Sequence, residues 1–289
     1  MISNPFEYQR AGSLQEAITQ LKQHGDEAKL LAGGHSLIPT MKLRLNAPAV
    51  LIDLAGIDGL ASIESDGNHI HIGAMATHRQ VESSELVQSK CAALAAAAGG
   101  IGDPQVRNKG TIGGSLAHAD PAADYPALVL ALNASVSVQG PDNTRTIAAD
   151  DFFTGMFDTD LEESEIITKV SFPVQTRETG AAYAKFPNPA SRFAVVGVAA
   201  HLTLDGNGTC TAARIAITGA APAVFRASAM ENALTGTTLD DASIAAACAH
   251  TPDEDEMLSD LSGSAKYRAH LCGVMAQRAI KAAAADAKG

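Results

Sequence analysis

Two short strings pair glycines with hydroxyl residues: Ala32-Gly33-Gly34-His35-Ser36 and Gly110-Thr111-Ile112-Gly113-Gly114-Ser115. Paired glycines let the backbone come close to a ligand and turn successive N–H groups toward an anion. Together the two strings could hold both ends of a diphosphate through the N–H groups of Gly33, Gly34, Gly113 and Gly114. Neither is a Rossmann GxGxxG, and the chain has no GxxxxGK(S/T) phosphate loop, so a dinucleotide bound here is held by another scheme. His69 and His71 would share one face of a strand, but no third ligand stands at a suitable spacing, so they read as a solvated face. Cys91, Cys210, Cys248 and Cys272 lie far apart with no CxxC pair, as expected of reduced thiols rather than an iron–sulfur or zinc site. No HExxH, nucleophile elbow or recognisable catalytic carboxylate pair occurs.

The elements that must position these strings follow from local pattern. Ser13 and Glu16 have the form of a capping box, Gly25 a stop, and Leu14, Ala17, Ile18 and Leu21 fall on one helical face between them. Lys29 to Ala32 reads as a buried strand running into the first string. Pro39 suits the start of a helix through Met41 and Leu45, and Val50 to Leu54 is the next strand. The first string thus lies at the carboxyl end of a strand in a βαβ unit, where ligands gather. Thr77 with Gln80 opens a helical stretch to about Ala98. The segment from Gly102 to Pro126 is poor in core residues and rich in turn formers, which points to a ligand-shaped loop. Asp124 caps the helix that carries Leu128 to Leu132 and is placed to accept a hydrogen bond from a sugar hydroxyl.

Beyond it, Val136 to Val138 and Thr146 to Ala148 form a hairpin around Pro141-Asp142-Asn143, and Ile166 to Phe172 is a further strand. Polar residues from Gln175 to Gly180 mark a domain boundary. Phe193 to Leu204 and Thr211 to Thr218 flank the turn Asp205-Gly206-Asn207-Gly208. Helices follow around Ala227 to Leu234, Ala242 to His250 and from Ser264, where Tyr267, Leu271, Val274 and Met275 share a face.

Composition narrows the function. A net charge of -11 excludes a nucleic-acid partner, whose phosphates demand a basic face, and disfavours an anionic membrane surface. With aromatics at 4% and no Trp, the core must be built from small aliphatic side chains. No signal peptide and no apolar run of membrane-spanning length is visible, which predicts a cytoplasmic protein.

Read together, AGGHSLIPTMKLRL, GDPQVRNKGTIGGSLAHADPAADYP and GSAKYRAHL resemble the FAD-binding medium subunit of molybdenum hydroxylases, the family of carbon monoxide dehydrogenase medium chains and xanthine dehydrogenase flavin subunits. The resemblance covers essentially the whole chain. It implies an α+β protein: a PCMH-type FAD-binding domain over residues 1–176, followed by a small α+β C-terminal domain over residues 177–289. The FAD-binding domain would have two parts, a small βαβ lobe (about 1–56) and a mixed or antiparallel sheet with helices (57–176).

For the site, the resemblance implies that Ala32, Gly33, Gly34, His35, Ser36, Thr111, Ile112, Gly113, Gly114 and Ser115 contact FAD. Asp124 and Lys185 match contact positions in relatives, although Lys185 can equally be a solvated strand residue. Ile166 or Ile167 would make a backbone or packing contact near the adenine. Phe193 stands near a point where some relatives carry Tyr beside the flavin ring, so ring packing is kept and any phenol role is not. Distant flavoproteins of similar fold attach FAD covalently through a histidine in a GGH string. The medium-chain family does not, so FAD is expected to be non-covalent and His35 to be a loop histidine.

The implied activity is that of an FAD-dependent oxidoreductase subunit. Molybdenum cofactor would sit on a large partner subunit and iron–sulfur (2Fe–2S) clusters on a small one, in an assembly expected to be a dimer of heterotrimers. Electrons would pass from the clusters to FAD and on to quinone, NAD or oxygen. A stand-alone flavin oxidase or reductase of the same wider fold and a flavin-free scaffold subunit are the rival readings. A relative that reduces an aromatic thioester inserts a cysteine cluster in this subunit, and none is present here.

Overall fold

The protein is described by a computed structural model covering residues 2–288. The chain opens with β1 (Glu7–Arg10), α1 (Leu14–His24), β2 (Ala28–Leu31), α2 (Leu37–Lys42) and β3 (Val50–Asp53). These strands form a parallel sheet in the order β1-β3-β2. The Ser13 hydroxyl accepts from the Glu16 N–H at the start of α1, and the Gly25 N–H donates to the Leu21 carbonyl at its end. Ala17 and Ile18 then bury against Val50 and Ile52. α2 starts two residues ahead of Pro39, whose missing N–H is no loss in a first turn. It stops at Lys42, before Leu45, and Arg44 takes a φ of 60°. β1 was not legible in the sequence: EYQR has no apolar alternation, because it is an edge strand with little to bury.

The second part comprises β4 (Ile63–Ser65), β5 (His69–Gly73), α3 (His78–Ser83), α4 (Glu85–Lys90), α5 (Ala92–Gly99), α6 (Pro104–Arg107), α7 (Ile112–His118) and α8 (Tyr125–Ala131). It continues with β6 (Ser135–Gln139), β7 (Thr144–Ala148), α9 (Ala149–Phe152), β8 (Phe153–Gly155), β9 (Asp158–Thr159) and β10 (Ile166–Pro173). The five-stranded sheet, β4-β5-β10-β6-β7, is antiparallel throughout.

Two expectations are corrected here. The helix expected from Thr77 to Ala98 is three helices: Ser84 leaves helical geometry and accepts from the Val87 N–H, and Cys91 breaks the chain again. The segment expected as a long loop folds into α6 and α7, because Asp103 accepts from the Val106 N–H and Thr111 from the Gly114 N–H. A short side chain that accepts its own turn's N–H starts a helix without needing an apolar stripe.

The last part contains β11 (Thr179–Pro187), β12 (Ala194–Leu204), β13 (Cys210–Thr218), β14 (Phe225–Arg226), α10 (Ser228–Leu234), α11 (Asp241–Cys248) and α12 (Ala265–Asp286). Its sheet runs antiparallel in the order β11-β12-β13-β14. On β12, Val196, Val198, Ala200 and Leu202 join the core shared with α12, while Ala199 joins Ala181 and Ala216 in the core shared with α5 and α8. Burial on both faces is why AVVGVAA reads as a continuous apolar run. The buried Arg268 of α12 donates to the Val195 and Gly219 carbonyls, each at 2.6 Å, and to Asp260 Oδ1 at 2.7 Å. All four cysteines are free and buried, and burial pushes the Cys91 and Cys272 thiols up to about 12 and Cys248 to about 11. No helix among the described residues is long and apolar enough to cross a membrane.

Asp124 does not cap α8; its side chain makes no capping bond. It turns instead to β11, where Oδ1 accepts from the Tyr183 hydroxyl at 2.5 Å and Oδ2 from Lys185 Nζ at 2.8 Å. Both partners of this ion pair are withdrawn from water, with side chains 4% (Asp124) and 11% (Lys185) exposed. Burial raises the Asp124 carboxyl, and Lys185 and Tyr183 oppose it. Removing one member of a buried pair strands the other charge, at a cost of about 3–5 kcal/mol. Asp124→Ala is therefore expected to lose about that much stability in denaturant unfolding. The double variant Asp124→Ala/Lys185→Met should recover most of it; a loss below about 1 kcal/mol for the single variant would mark the pair as no stronger than a surface bridge.

Candidate functional site

The first glycine string leaves the carboxyl end of β2 and enters α2; the second is the start of α7. They meet backbone to backbone. A Cβ on Gly33 would fall 2.0 Å from the Lys109 carbonyl oxygen and 2.8 Å from Gly110 Cα, so only glycine fits. Gly34 adopts a φ of 71°, in the left-handed region, and its Cα faces Ile38 and Leu31. His35 adds a further tie: its Nε2 lies 3.2 Å from the Gln105 carbonyl of α6.

The two strings differ in what their N–H groups have left to give. In the second, Ile112 donates to the Ala76 carbonyl at 3.0 Å, Gly113 to Ala74 at 2.9 Å and Ser115 to Thr111 at 3.0 Å. Gly114 donates to Thr111 Oγ1 at 3.1 Å. The expectation that Gly113 and Gly114 present free N–H groups is therefore corrected: the Ala74 carbonyl just after β5 and the Thr111 hydroxyl that caps α7 already take them. In the first string, the N–H groups from Ala32 to Ser36 donate to no protein acceptor among the described residues. A run of unpaired N–H groups at a turn is a ready anion cradle.

Between the strings opens a cleft of about 800 Å³. It is walled by the first lobe, by the helices and β10 of the second, and at one end by Ser191, Arg192 and Phe193 of the last part. Of the sequence-predicted residues, Ala32, Gly33, Gly34, His35, Ser36, Thr111, Gly113, Gly114, Ser115, Asp124, Ile167 and Phe193 line it. Ile112 stands apart, fully buried in the core of the second part. Lys185 is also outside the lining, its ammonium held by Asp124 and, at 3.2 Å, by the Gly100 carbonyl. Phe193 is 44% exposed at the mouth, as an apolar plate for a flat ring would be.

Of the carboxylates lining the cleft, Asp124 and Glu165 are held in ion pairs. Glu165 takes two bonds from Arg145, each 2.8 Å, which hold its carboxyl below the usual range, and Arg145 also reaches Asp160 Oδ2 at 2.6 Å. Among the lining residues that sequence reasoning missed are His78 and Arg192. His78 is 5% exposed, stacks at a tilt on Tyr125 with centroids 5.3 Å apart, and is lowered to about 4 by burial and by the nearby His35 and Arg107. No local signal marks it: it merely follows the Thr77 cap. Among the described residues no grouping of His, Cys, Asp and Glu has the makings of a metal site.

The fit to a dinucleotide rests on this cradle: free N–H groups at a glycine turn, a second glycine surface opposite, and a cleft within the range of small-molecule sites. Residues 4–175 match the family described as FAD binding domain in molybdopterin dehydrogenase, and residues 181–283 match the CO dehydrogenase flavoprotein C-terminal domain. The carbon monoxide dehydrogenase medium chain of Hydrogenophaga pseudoflava is 41% identical, with 98% of each chain covered. The 6-hydroxypseudooxynicotine dehydrogenase complex subunit alpha of Paenarthrobacter nicotinovorans is 36% identical, covering 95% of this chain and 93% of its own. A solved structure of the Hydrogenophaga carbon monoxide dehydrogenase, lacking the Mo-pyranopterin moiety of the molybdenum cofactor, contains a chain that superposes with a TM-score of 0.94 at 42% identity, covering 99% of both.

The Gly33 contact generates a sharp test. Gly33→Ala should separate the strings and weaken FAD binding at least roughly tenfold, ~1.4 kcal/mol. Gly206→Ala, in a turn where a Cβ meets nothing within 4 Å, should leave affinity unchanged. Flavin titration of both variants checks this; equal affinity in the two would mean the close approach does not shape the cleft.

Proposed function

The chain belongs to the family of FAD-binding medium chains of molybdopterin dehydrogenases, and on that premise we propose that it takes electrons from iron–sulfur clusters of a small partner subunit and passes them through FAD to an external acceptor. That it is the FAD subunit of an oxidoreductase of the molybdenum hydroxylase type follows from the match over both domains. The partners, the electron path, a dimer-of-heterotrimers assembly and a cytoplasmic setting belong to the proposal. So does the division at residues 176/177, with lobes of about 1–56 and 57–176.

The single observation that carries the reading is the cleft at the junction of the two glycine strings, with the N–H groups from Ala32 to Ser36 free to hold a diphosphate. FAD, when bound, supplies the redox chemistry by accepting electrons singly and delivering them onward. The chain's own residues bind and orient. Ala32 to Ser36 cradle the diphosphate through N–H groups, and Thr111 to Ser115 supply the opposing surface, with Ile112 acting from behind it as packing. Ile167 packs within the cleft, and Phe193 offers a ring face at its open end. Asp124 and Lys185 act as a fixed pair beside the cleft, Asp124 on its wall and Lys185 behind it. The substrate is set by the molybdenum subunit.

FAD is held without a covalent bond, so acid precipitation should release flavin to the supernatant; flavin that stays with the chain on a denaturing gel refutes this. In rapid mixing with the substrate of the complex, the assembled complex should reduce its FAD and the isolated chain should not. Turnover of an organic substrate by the isolated chain at about 1 s⁻¹ or more, within the ordinary enzyme range, would make it a stand-alone oxidase instead.

A further inference from the structure

His78 opens α3, held there by its own N–H, which donates to the Gly110 carbonyl at 2.9 Å. Its ring passes directly beside the second glycine string: a Cβ on Gly110 would fall 2.5 Å from Nε2. Gly33 in turn rests on the Lys109–Gly110 backbone. The imidazole therefore lies at the point where the two strings close on each other, on the wall of the cleft. Although 5% exposed, it makes no hydrogen bond through either nitrogen among the described residues, and Nδ1 is sealed from solvent. The ring of Tyr125 packs at a tilt against it, and the Tyr125 hydroxyl is likewise buried and unpartnered. Buried polar atoms nearly always have a partner, and a buried imidazole without one is destabilising. Burial and the neighbouring His35 and Arg107 keep the ring neutral, so it carries one N–H donor and one acceptor nitrogen.

We propose that His78 is a cofactor-contacting residue, its Nε2 hydrogen-bonding the flavin dinucleotide where that ligand passes between the two glycine strings. The inference rests on the flavin reading above and adds to the glycine strings a side chain that no local motif marks. Nδ1 is closed off by protein, whereas Nε2 is not sealed and has no protein partner among the described residues, so the ligand of the cleft that His78 lines is the partner within its reach. Tyr125 backs the imidazole and holds its plane.

The test uses the full chain stripped of flavin, with FAD affinity from titration and stability from thermal unfolding of the apoprotein. His78→Leu keeps the bulk and removes both nitrogens. FAD affinity should fall tenfold or more, while the apoprotein Tm stays level or rises, because an unpartnered polar ring has been removed from the interior. His78→Gln, which keeps a donor, should regain part of the affinity. Leu and wild-type chains that bind FAD equally would overturn the proposal, with a water filling the same gap as the explanation. So would a fall in apoprotein Tm that accounts for the lost binding, since the ring would then serve only the fold. A wild-type chain that binds no FAD at all would remove the flavin reading itself, and this proposal with it.

Discussion

The contact between Gly33 and the Lys109–Gly110 backbone sets the geometry on which the rest depends. Two chain segments approach so closely that no side chain fits between them. One belongs to a parallel βαβ lobe and the other to a helix-rich lobe on an antiparallel sheet. Each lobe is built on its own core, the two joined where Ile166 of β10 and Met75 pack against the first, and the cleft survives beside that contact. A larger residue at Gly33 would push apart the walls that face the ligand. The opening of the site is thus set by a contact between backbones, and side chains such as Met75, Ile101 and Phe193 finish its lining.

Much of this was legible in the sequence, for local reasons. Caps at Ser13, Thr77 and Ser264, the Asp205 turn and the glycine strings each declare themselves within a few residues. What was not legible depended on partners far along the chain. Asp124 looked like a helix cap, because Asp before Tyr-Pro commonly is one; its real partners are 59 and 61 residues away. The N–H groups of Gly113 and Gly114 looked available, because nothing local shows that Ala74 or the Thr111 hydroxyl takes them. β1 and β11 were missed for a shared reason, polarity: the first is a polar edge, and the second starts in the polar stretch read as a domain boundary. His78 follows a cap and resembles any first-turn residue until Gly110 and Tyr125 close over it.

The scarcity of aromatics has an architectural counterpart. The sheet of the last part is covered on one face by α12 and on the other by α5 and α8, and the residues between the layers are mostly alanine and valine. Small side chains let the layers come close, and interiors packed this way tolerate little change in volume. The Asp124–Lys185–Tyr183 cluster sits where this sandwich meets the cleft. A distortion on one side is therefore carried to the other through rigid groups.

The cysteines acquire a meaning beside a flavin. Reduced flavins pass electrons to oxygen, and the peroxide so formed attacks thiolates rather than thiols. Burial holds Cys91, Cys248 and Cys272 protonated far above neutral pH and raises Cys210 as well. Peroxide leaving the cleft meets no thiolate of this chain. The sulfurs it can reach are thioethers, that of Met75 on the cleft wall and that of half-exposed Met156, whose damage reductases can reverse. With every thiol sealed in the core, the sulfur chemistry left open to peroxide is the reversible thioether kind.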